Sequence, residues 1–275
     1  MATQLEEFNK NGYLILENFN SVEECQALML RAKGLSTDFH LEGKASIFQT
    51  ADQSKTSGDY FLKSGENISF FFEKDAFDLE GNLKNDLFLS LNKIGHALHD
   101  VDPVFNSFSR SPQMKKLASD LNMDDYLIIQ SMMIFKHAKI GGVVDIHQDS
   151  TFLYTTPDSC IGFWFALEDA TIDNGCLWAK PGGHHTPLRS WFKRKTGGGT
   201  EMQILNDEPF STEEMIPLEV KQGTCIVLHG FLPHFSLPNS SGKSRQAYSI
   251  HTIDKHKNYP AENWLQRPQN LLKGF

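Results

Sequence analysis

His147-Gln148-Asp149, His234 and Arg245 are the residues of this 275-residue chain best suited to chemistry. Two ligand-type side chains alternate along one short segment, a second histidine lies far downstream, and an arginine follows it. A mononuclear iron(II) centre takes two histidines and one carboxylate on one face of an octahedron and leaves the other positions open. An arginine adds a bidentate grip for the carboxylate of a cosubstrate. Together these residues point to an iron- and 2-oxoglutarate-dependent oxygenase that also consumes O2.

The triplet alone does not carry that reading. With 11 histidines and 18 aspartates in the chain, chance placement gives roughly 0.7 His-x-Asp triplets. His40-Leu41-Glu42 has the same chemical spacing in a polar stretch with no periodic strand around it. Context adds the specificity. Val143–Tyr154 reads as a strand, on which alternation puts His147 and Asp149 on one face and Gln148 on the other. The third ligand has two candidates. His229 ends the apolar run Thr224–Leu228; His234 opens the next strand and shares its face with Ser236. His234 is the favoured one. Arg245, at the start of a further strand, is either a solvated edge charge or a buried cation that needs an anionic partner.

The elements that must position these residues fall into two halves. Residues 1–35 read as two short helices around the run Tyr13-Leu14-Ile15-Leu16, with a capping-box pattern at Ser21-Val22-Glu23-Glu24. Residues 36–66 are polar and read as a loop or lid. The spacing of Leu87, Leu91, Ile94 and Leu98 predicts a helix over 84–99. Pro103 suits the first turn of another over 103–121. From about 126 the period shortens. Tyr126–Lys136, Val143–Tyr154, Cys160–Glu168, Cys176–Ala179, Ile216–Val220, Thr224–His229, His234–Leu237 and Ala247–Ile253 read as short strands separated by Gly, Pro, Asn and Asp. The expected fold is mainly β with flanking helices, a jelly-roll or cupin-like core whose mouth can hold a metal. It is taken as one domain, with 1–125 as mostly helical support, 126–255 as the core and 256–275 as a tail.

Composition sets the outer bounds. A hydrophobic share of 40% and a charged share of 22% are ordinary for a globular protein. A formal charge of −8 argues against a broad nucleic-acid surface, which needs a basic footprint. Cys25, Cys160, Cys176 and Cys225 are widely spaced with no C-x-x-C, so zinc-finger and thioredoxin patterns are absent. No run approaches the length of a membrane span, and Met1–Glu7 lacks the form of a signal peptide. The cytoplasm, a small-molecule substrate and no nucleic-acid or membrane partner are the expectations.

Longer runs add a resemblance. Asp59–Leu62, Phe70–Lys74, Asn92–His99, Gln130–Met132, His147–Asp149, Glu168–Thr171, Asn174–Trp178, Arg245–Tyr248 and Glu262–Gln266 together resemble the phytanoyl-CoA dioxygenase family over nearly the whole chain. The resemblance implies a double-stranded β-helix core, with iron(II) held by His147, Asp149 and His234. It also implies 2-oxoglutarate contacts from Lys93, Met132, the segment His147-Gln148-Asp149, Trp164, Ser236 and Arg245. By periodicity alone Lys93 is a solvated helix lysine, and Met132 and Trp164 are strand core residues. The implied reaction converts 2-oxoglutarate and O2 to succinate and CO2 with hydroxylation of a substrate, an acyl-CoA or another small anionic molecule. Related halogenases lack the carboxylate that Asp149 supplies, so hydroxylation is favoured over halogenation. Two departures stand out: no peroxisomal targeting segment of the family's kind is read at the N-terminus, and Gly183 stands where the family's Pro-Gly-Ser-His pattern has serine.

Two other function classes share the residues. A non-catalytic module that senses iron or 2-oxoglutarate would use the same ligands, and a zinc hydrolase would use the same donor types without a need for Arg245. The basic run Arg189–Lys195, followed by Gly197-Gly198-Gly199, reads as a flexible loop that could grip an anionic substrate or simply face solvent.

Overall fold

The computed structural model describes residues 3–41 and 58–275. Its first half alternates helices with strands: α1 (Gln4–Asn11), β1 (Tyr13–Leu16), α2 (Val22–Thr37), α3 (Asp59–Lys63), β2 (Ile68–Phe72), α4 (Leu87–Ser90), β3 (Leu91–His96), α5 (Leu98–Val101), α6 (Pro103–Ser109) and α7 (Pro112–Asp120). The second half is β: β4 (Tyr126–Lys136), β5 (Val144–His147), β6 (Ile161–Ala166), β7 (Leu177–Ala179), β8 (Ser190–Arg194), β9 (Thr200–Ile204), β10 (Ile216–Leu218), β11 (Cys225–His229), β12 (His234–Ser236) and β13 (Arg245–Asp254).

The strands form a seven-stranded sheet in the order β1-β11-β6-β13-β4-β3-β2 and a four-stranded sheet in the order β10-β7-β12-β5, every pairing antiparallel. The two face each other as a jelly roll, the double-stranded β-helix expected from the sequence. Period-two alternation assigns each large-sheet strand two jobs. Phe163 and Phe165 of β6, with Tyr248 and Ile250 of β13, join the core shared with α1, α2, α6 and α7. Their neighbours Trp164, Ala166 and Ala247 face the small sheet with Leu177 and Leu218. Each fully buried Phe or Ile contributes about 1.5–3 kcal/mol relative to exposure. The helices that cover the outer face are anchored by caps. Ser21 and Glu24 form the reciprocal box read from the sequence, and Thr3 and Glu6 form a second at α1.

Several expectations change. Of the helix expected over 84–99, only Leu87–Ser90 and Leu98–Val101 are helical; Leu91–His96 is strand β3. This strand lies between β2 and β4 with both faces covered, so it has no polar face to reveal a period of two. The helix expected over 103–121 is two, because Ser111 caps a new helix that Pro112 opens. The strand expected over Val143–Tyr154 ends at His147, and Asp149–Thr151 is a single 3-10 turn. Residues before 126 contribute β1, β2 and β3 to the main sheet beside their helices. Of the loop expected over 36–66, α2 runs to Thr37 and Asp59–Glu66 is helical. Residues 42–57, and with them Glu42, lie outside the described residues.

The basic run is also different. Ser190–Arg194 and Thr200–Ile204 form a hairpin, β8–β9, in place of a flexible loop. Arg189 pairs with Glu208 at 2.8 Å, Lys193 with Glu201 at 3.5 Å, and Arg194 donates to Trp264 O at 2.9 Å. These charges are largely committed within the protein, which removes most of the case for an anion grip there. All four cysteines are buried free thiols. No helix among the described residues is long and apolar enough to cross a membrane.

Candidate metal centre

β5 and β12 pair with His147 opposite His234, which brings residues 87 positions apart side by side. Asp149 follows one extended residue later, Gln148 having φ −114° and ψ 134°, so the alternation expected of a strand persists past the strand's end. The ligand atoms of His147, Asp149 and His234 lie within 4.8 Å of one another.

Hydrogen bonds to carbonyls settle the histidine tautomers. His147 Nδ1 lies 2.8 Å from Asp145 O, and His234 Nδ1 lies 3.0 Å from Leu232 O. A carbonyl only accepts, so each Nδ1 carries a proton and, in the neutral ring, each Nε2 presents a lone pair. Those two Nε2 atoms face Asp149 Oδ1 at 3.7 and 3.8 Å. Burial, followed by the field of His234, pushes the His147 imidazole down to about 4, so it is an unprotonated donor at neutral pH. Burial alone would raise the Asp149 carboxyl, but the fields of His251, His234 and His147 outweigh it and hold the carboxyl below the usual range. Two bare imidazole nitrogens and one carboxylate oxygen on one side of a point form the donor set that suits iron(II).

The turn beyond Asp149 is locked to the loop before His234. Ser150 N donates to Gly230 O at 3.0 Å, and Gly230 N donates to Cys160 O at 2.8 Å. A Cβ at Gly230 would meet Cys160 Cβ at 2.7 Å and would clash with Ser150 Oγ. Gly230→Ala is therefore expected to cost about 1–3 kcal/mol by overpacking. A thermal melt checks this, and an unchanged midpoint would contradict it.

The three ligands open onto a cavity of about 130 Å³ between the two sheets. Arg245, Lys93, Met132, Trp164 and Ser236 all line it, so the structure gathers these sequence candidates around the ligands. Arg245 is 1% exposed. Its Nε and Nη2 donate to Gly175 O at 3.1 and 3.0 Å, its guanidinium lies 5.4 Å from the Trp164 ring, and Nη1 is buried without a partner. Burial pushes its pKa down to about 10, which leaves it charged. No carboxylate within the described residues forms an ion pair with it. Ser236 Oγ is likewise buried and unpartnered. Lys93 is 5% exposed, with Nζ 3.8 Å from Met132 Sδ, and burial depresses its pKa strongly.

Two candidates stand apart. The Gln148 side chain turns away from the cavity, donating to Phe231 O and Pro187 O and accepting from Arg189 N. His229 accepts from Phe231 N through Nδ1 and lies outside the ligand cluster, so His234 and not His229 joins the triad. Sequence reasoning missed His251, Ser249, Gln130, His96 and Trp264, all of which line the cavity. The signal for two of them was present: Arg245, Ser249 and His251 share one face of β13 by period two.

Comparison with known proteins places the chain among relatives. The family described as Phytanoyl-CoA dioxygenase (PhyH) matches residues 8–247. "Phytanoyl-CoA dioxygenase 1" of Oryza sativa subsp. japonica is 47% identical over 277 residues, covering 98% of this chain and 96% of its own. "Phytanoyl-CoA dioxygenase domain-containing protein 1" of Mus musculus is 39% identical, covering 98% and 96%. Among solved structures, the epimerase SnoN in complex with Fe3+, alpha ketoglutarate and nogalamycin RO aligns with TM-score 0.62 at 16% identity, over 97% of this chain and 89% of that one. EctD from S. alaskensis with 2-oxoglutarate and 5-hydroxyectoine aligns with TM-score 0.61 at 19% identity, over 94% and 77%. At these identities the structural likeness speaks for the fold.

Proposed function

Because the chain belongs to the phytanoyl-CoA dioxygenase family, we propose that it is an iron(II)- and 2-oxoglutarate-dependent dioxygenase that hydroxylates a small organic substrate. The whole chain acts as one domain, with the jelly roll as catalytic core. Arg245 carries the reading. A charged guanidinium that is 1% exposed, with one carbonyl as hydrogen-bond partner and an unpartnered Nη1, is costly unless an anion completes it. The metal-ligand cluster opens onto the same cavity. A dicarboxylate that reaches from one to the other satisfies both.

The donor set fits iron(II), so His147, Asp149 and His234 would hold it. When bound, the iron supplies the oxygen chemistry that couples conversion of 2-oxoglutarate and O2 into succinate and CO2 to substrate hydroxylation. The protein's own part is binding and exclusion. Arg245 and Ser236 offer donors to the far carboxylate of 2-oxoglutarate, and Lys93 adds an amino group to the same lining. Each charge-assisted bond is worth about 1.5–3 kcal/mol. Met132 and Trp164 keep the lining apolar, which strengthens those bonds by excluding water. At about 130 Å³ the cavity is smaller than the roughly 300–1,000 Å³ of pockets for drug-sized ligands, in keeping with a small cosubstrate.

The test is succinate release from 2-oxoglutarate by protein loaded anaerobically with iron(II), then exposed to air with and without a panel of acyl-CoAs and small anions. Iron-dependent succinate is the expected result, and stimulation by one panel member would identify the substrate class. Protein that binds iron and 2-oxoglutarate yet forms no succinate would be a sensor, and the proposal would fall.

A further inference from the structure

Asp149 shows its two oxygens to different neighbours. Oδ1 faces Nε2 of His147 and of His234 at 3.7 and 3.8 Å. Oδ2 faces Nε2 of His251 at 3.3 Å. We infer that His251 is a positioning residue for the metal centre, holding Oδ2 so that Asp149 binds metal through Oδ1 alone. The inference rests on the iron reading above and extends it to a residue outside the ligand set.

The surroundings of His251 support the assignment. It is 6% exposed and Asp149 is 7% exposed, so neither side of the contact competes with bulk water. Its backbone is fixed on both sides: on β13 it stands opposite Gln130 of β4 and Gly162 of β6. An imidazole mounted between two hydrogen-bonded strands has little freedom to drift. Gly162 makes the meeting possible. A Cβ there would sit 3.0 Å from Asp149 Oδ2 and 3.3 and 3.4 Å from His251 Cδ2 and Nε2. Glycine at this position leaves the space in which the carboxylate and the imidazole touch. At 3.3 Å the pair is a close electrostatic contact and not an aligned hydrogen bond, for Asp149 Oδ2 and His251 Nδ1 are both buried without a hydrogen-bond partner. With its proton on Nε2, the ring sets partial positive charge beside Oδ2 whether or not it is protonated at Nδ1 as well, so the role does not depend on the charge of His251.

The chemical consequence concerns coordination number. A carboxylate with a free second oxygen can swing to bind a metal through both, filling a position that cosubstrate or oxygen needs. A positive neighbour held beside Oδ2 opposes that swing and favours binding through Oδ1. Partners of this kind behind a ligand are generally worth 10–100-fold in metal affinity or activity.

Cobalt(II) is a suitable probe, because its visible spectrum reports coordination number without turnover. The comparison takes the parent, His251→Phe, His251→Gln and Gly162→Ala, each stripped of metal and titrated anaerobically with cobalt(II). His251→Phe fills the site without a donor and is expected to weaken cobalt binding by about 10–100-fold and to alter the spectrum. His251→Gln restores an N–H and is expected to recover most of the loss. Gly162→Ala wedges a methyl group against both Oδ2 and the His251 ring, disturbing their contact, and is expected to alter the spectrum as His251→Phe does. Parent-like affinity and spectrum in His251→Phe would overturn the assignment alone. Should that variant fail to fold, parent-like behaviour of Gly162→Ala would overturn it instead. A parent that binds no cobalt or iron would sink the iron reading, and this assignment with it.

Discussion

Arg245→Met is expected to raise the 2-oxoglutarate concentration for half-saturation by about 100-fold or more while leaving metal binding intact. Two charge-assisted bonds to a carboxylate, at about 1.5–3 kcal/mol each, amount to two decades or more at about 1.4 kcal/mol per decade. The same substitution is expected to leave the melting temperature of the ligand-free protein within a few degrees of the parent. Its guanidinium gives two hydrogen bonds to Gly175 O, and their loss is destabilising. Against that, methionine relieves the burial of an unpaired charge, which alone can cost several kcal/mol. Lys136, whose pKa burial and then the Arg245 charge push down to about 7, is relieved as well. An arginine that served the fold alone would give the opposite pair of results, a clear loss of melting temperature and unchanged affinity. Calorimetric titration with 2-oxoglutarate and a thermal melt of the same sample separate the two.

Asp149→Ala is expected to lower succinate formation by at least about 10³-fold, a loss of roughly 4 kcal/mol of barrier reduction. The carboxylate is the one anionic member of the ligand cluster, and it lies beside three histidines. Without it the site keeps two neutral nitrogen donors and has no charge to offset that of a divalent ion. Asp149→Asn, with nearly the same shape, is expected to lose almost as much, because an amide oxygen is neutral. Near-normal succinate from either variant, measured under saturating iron, would remove Asp149 from the assignment.

Part of this site could be read directly from residue order. His147, Asp149, His234, Ser236 and Arg245 follow from residue type, alternation and the distance to the next strand, and the structure gathers them around one cavity. The resemblance supplied Lys93, Met132 and Trp164, which periodicity had assigned to solvent or core. Lys93 was hidden for a physical reason. β3 is covered on both faces, and the leucine and isoleucine that bury it fall by coincidence at helical spacing. A lysine there looks like the polar side of a helix until the strand's neighbours are known. His251 was concealed differently: its alternation with Arg245 was visible, but its partner Asp149 lies in the turn that follows β5 of the other sheet, and only the fold sets the two 3.3 Å apart. The hairpin β8–β9 was obscured by its charges, which read as a solvated loop because their partners Glu201, Glu208 and the Trp264 carbonyl are distant or unremarkable in the chain.

The strand order β1-β11-β6-β13-β4-β3-β2 carries a consequence for how the protein reaches this state. Only β2, β3 and β4 are neighbours both along the chain and across the sheet; elsewhere the sheet joins distant segments, as where Tyr13 meets Leu228. Pairings of this kind close long loops before they gain contacts, and chains dominated by them fold slowly. His147 and His234 become neighbours only when β5 and β12 pair, itself a long-range event. The metal site is thus a product of nearly completed folding and offers no template at its start. Iron that arrives early finds scattered donors, whereas iron that arrives late acts as a latch on a finished barrel.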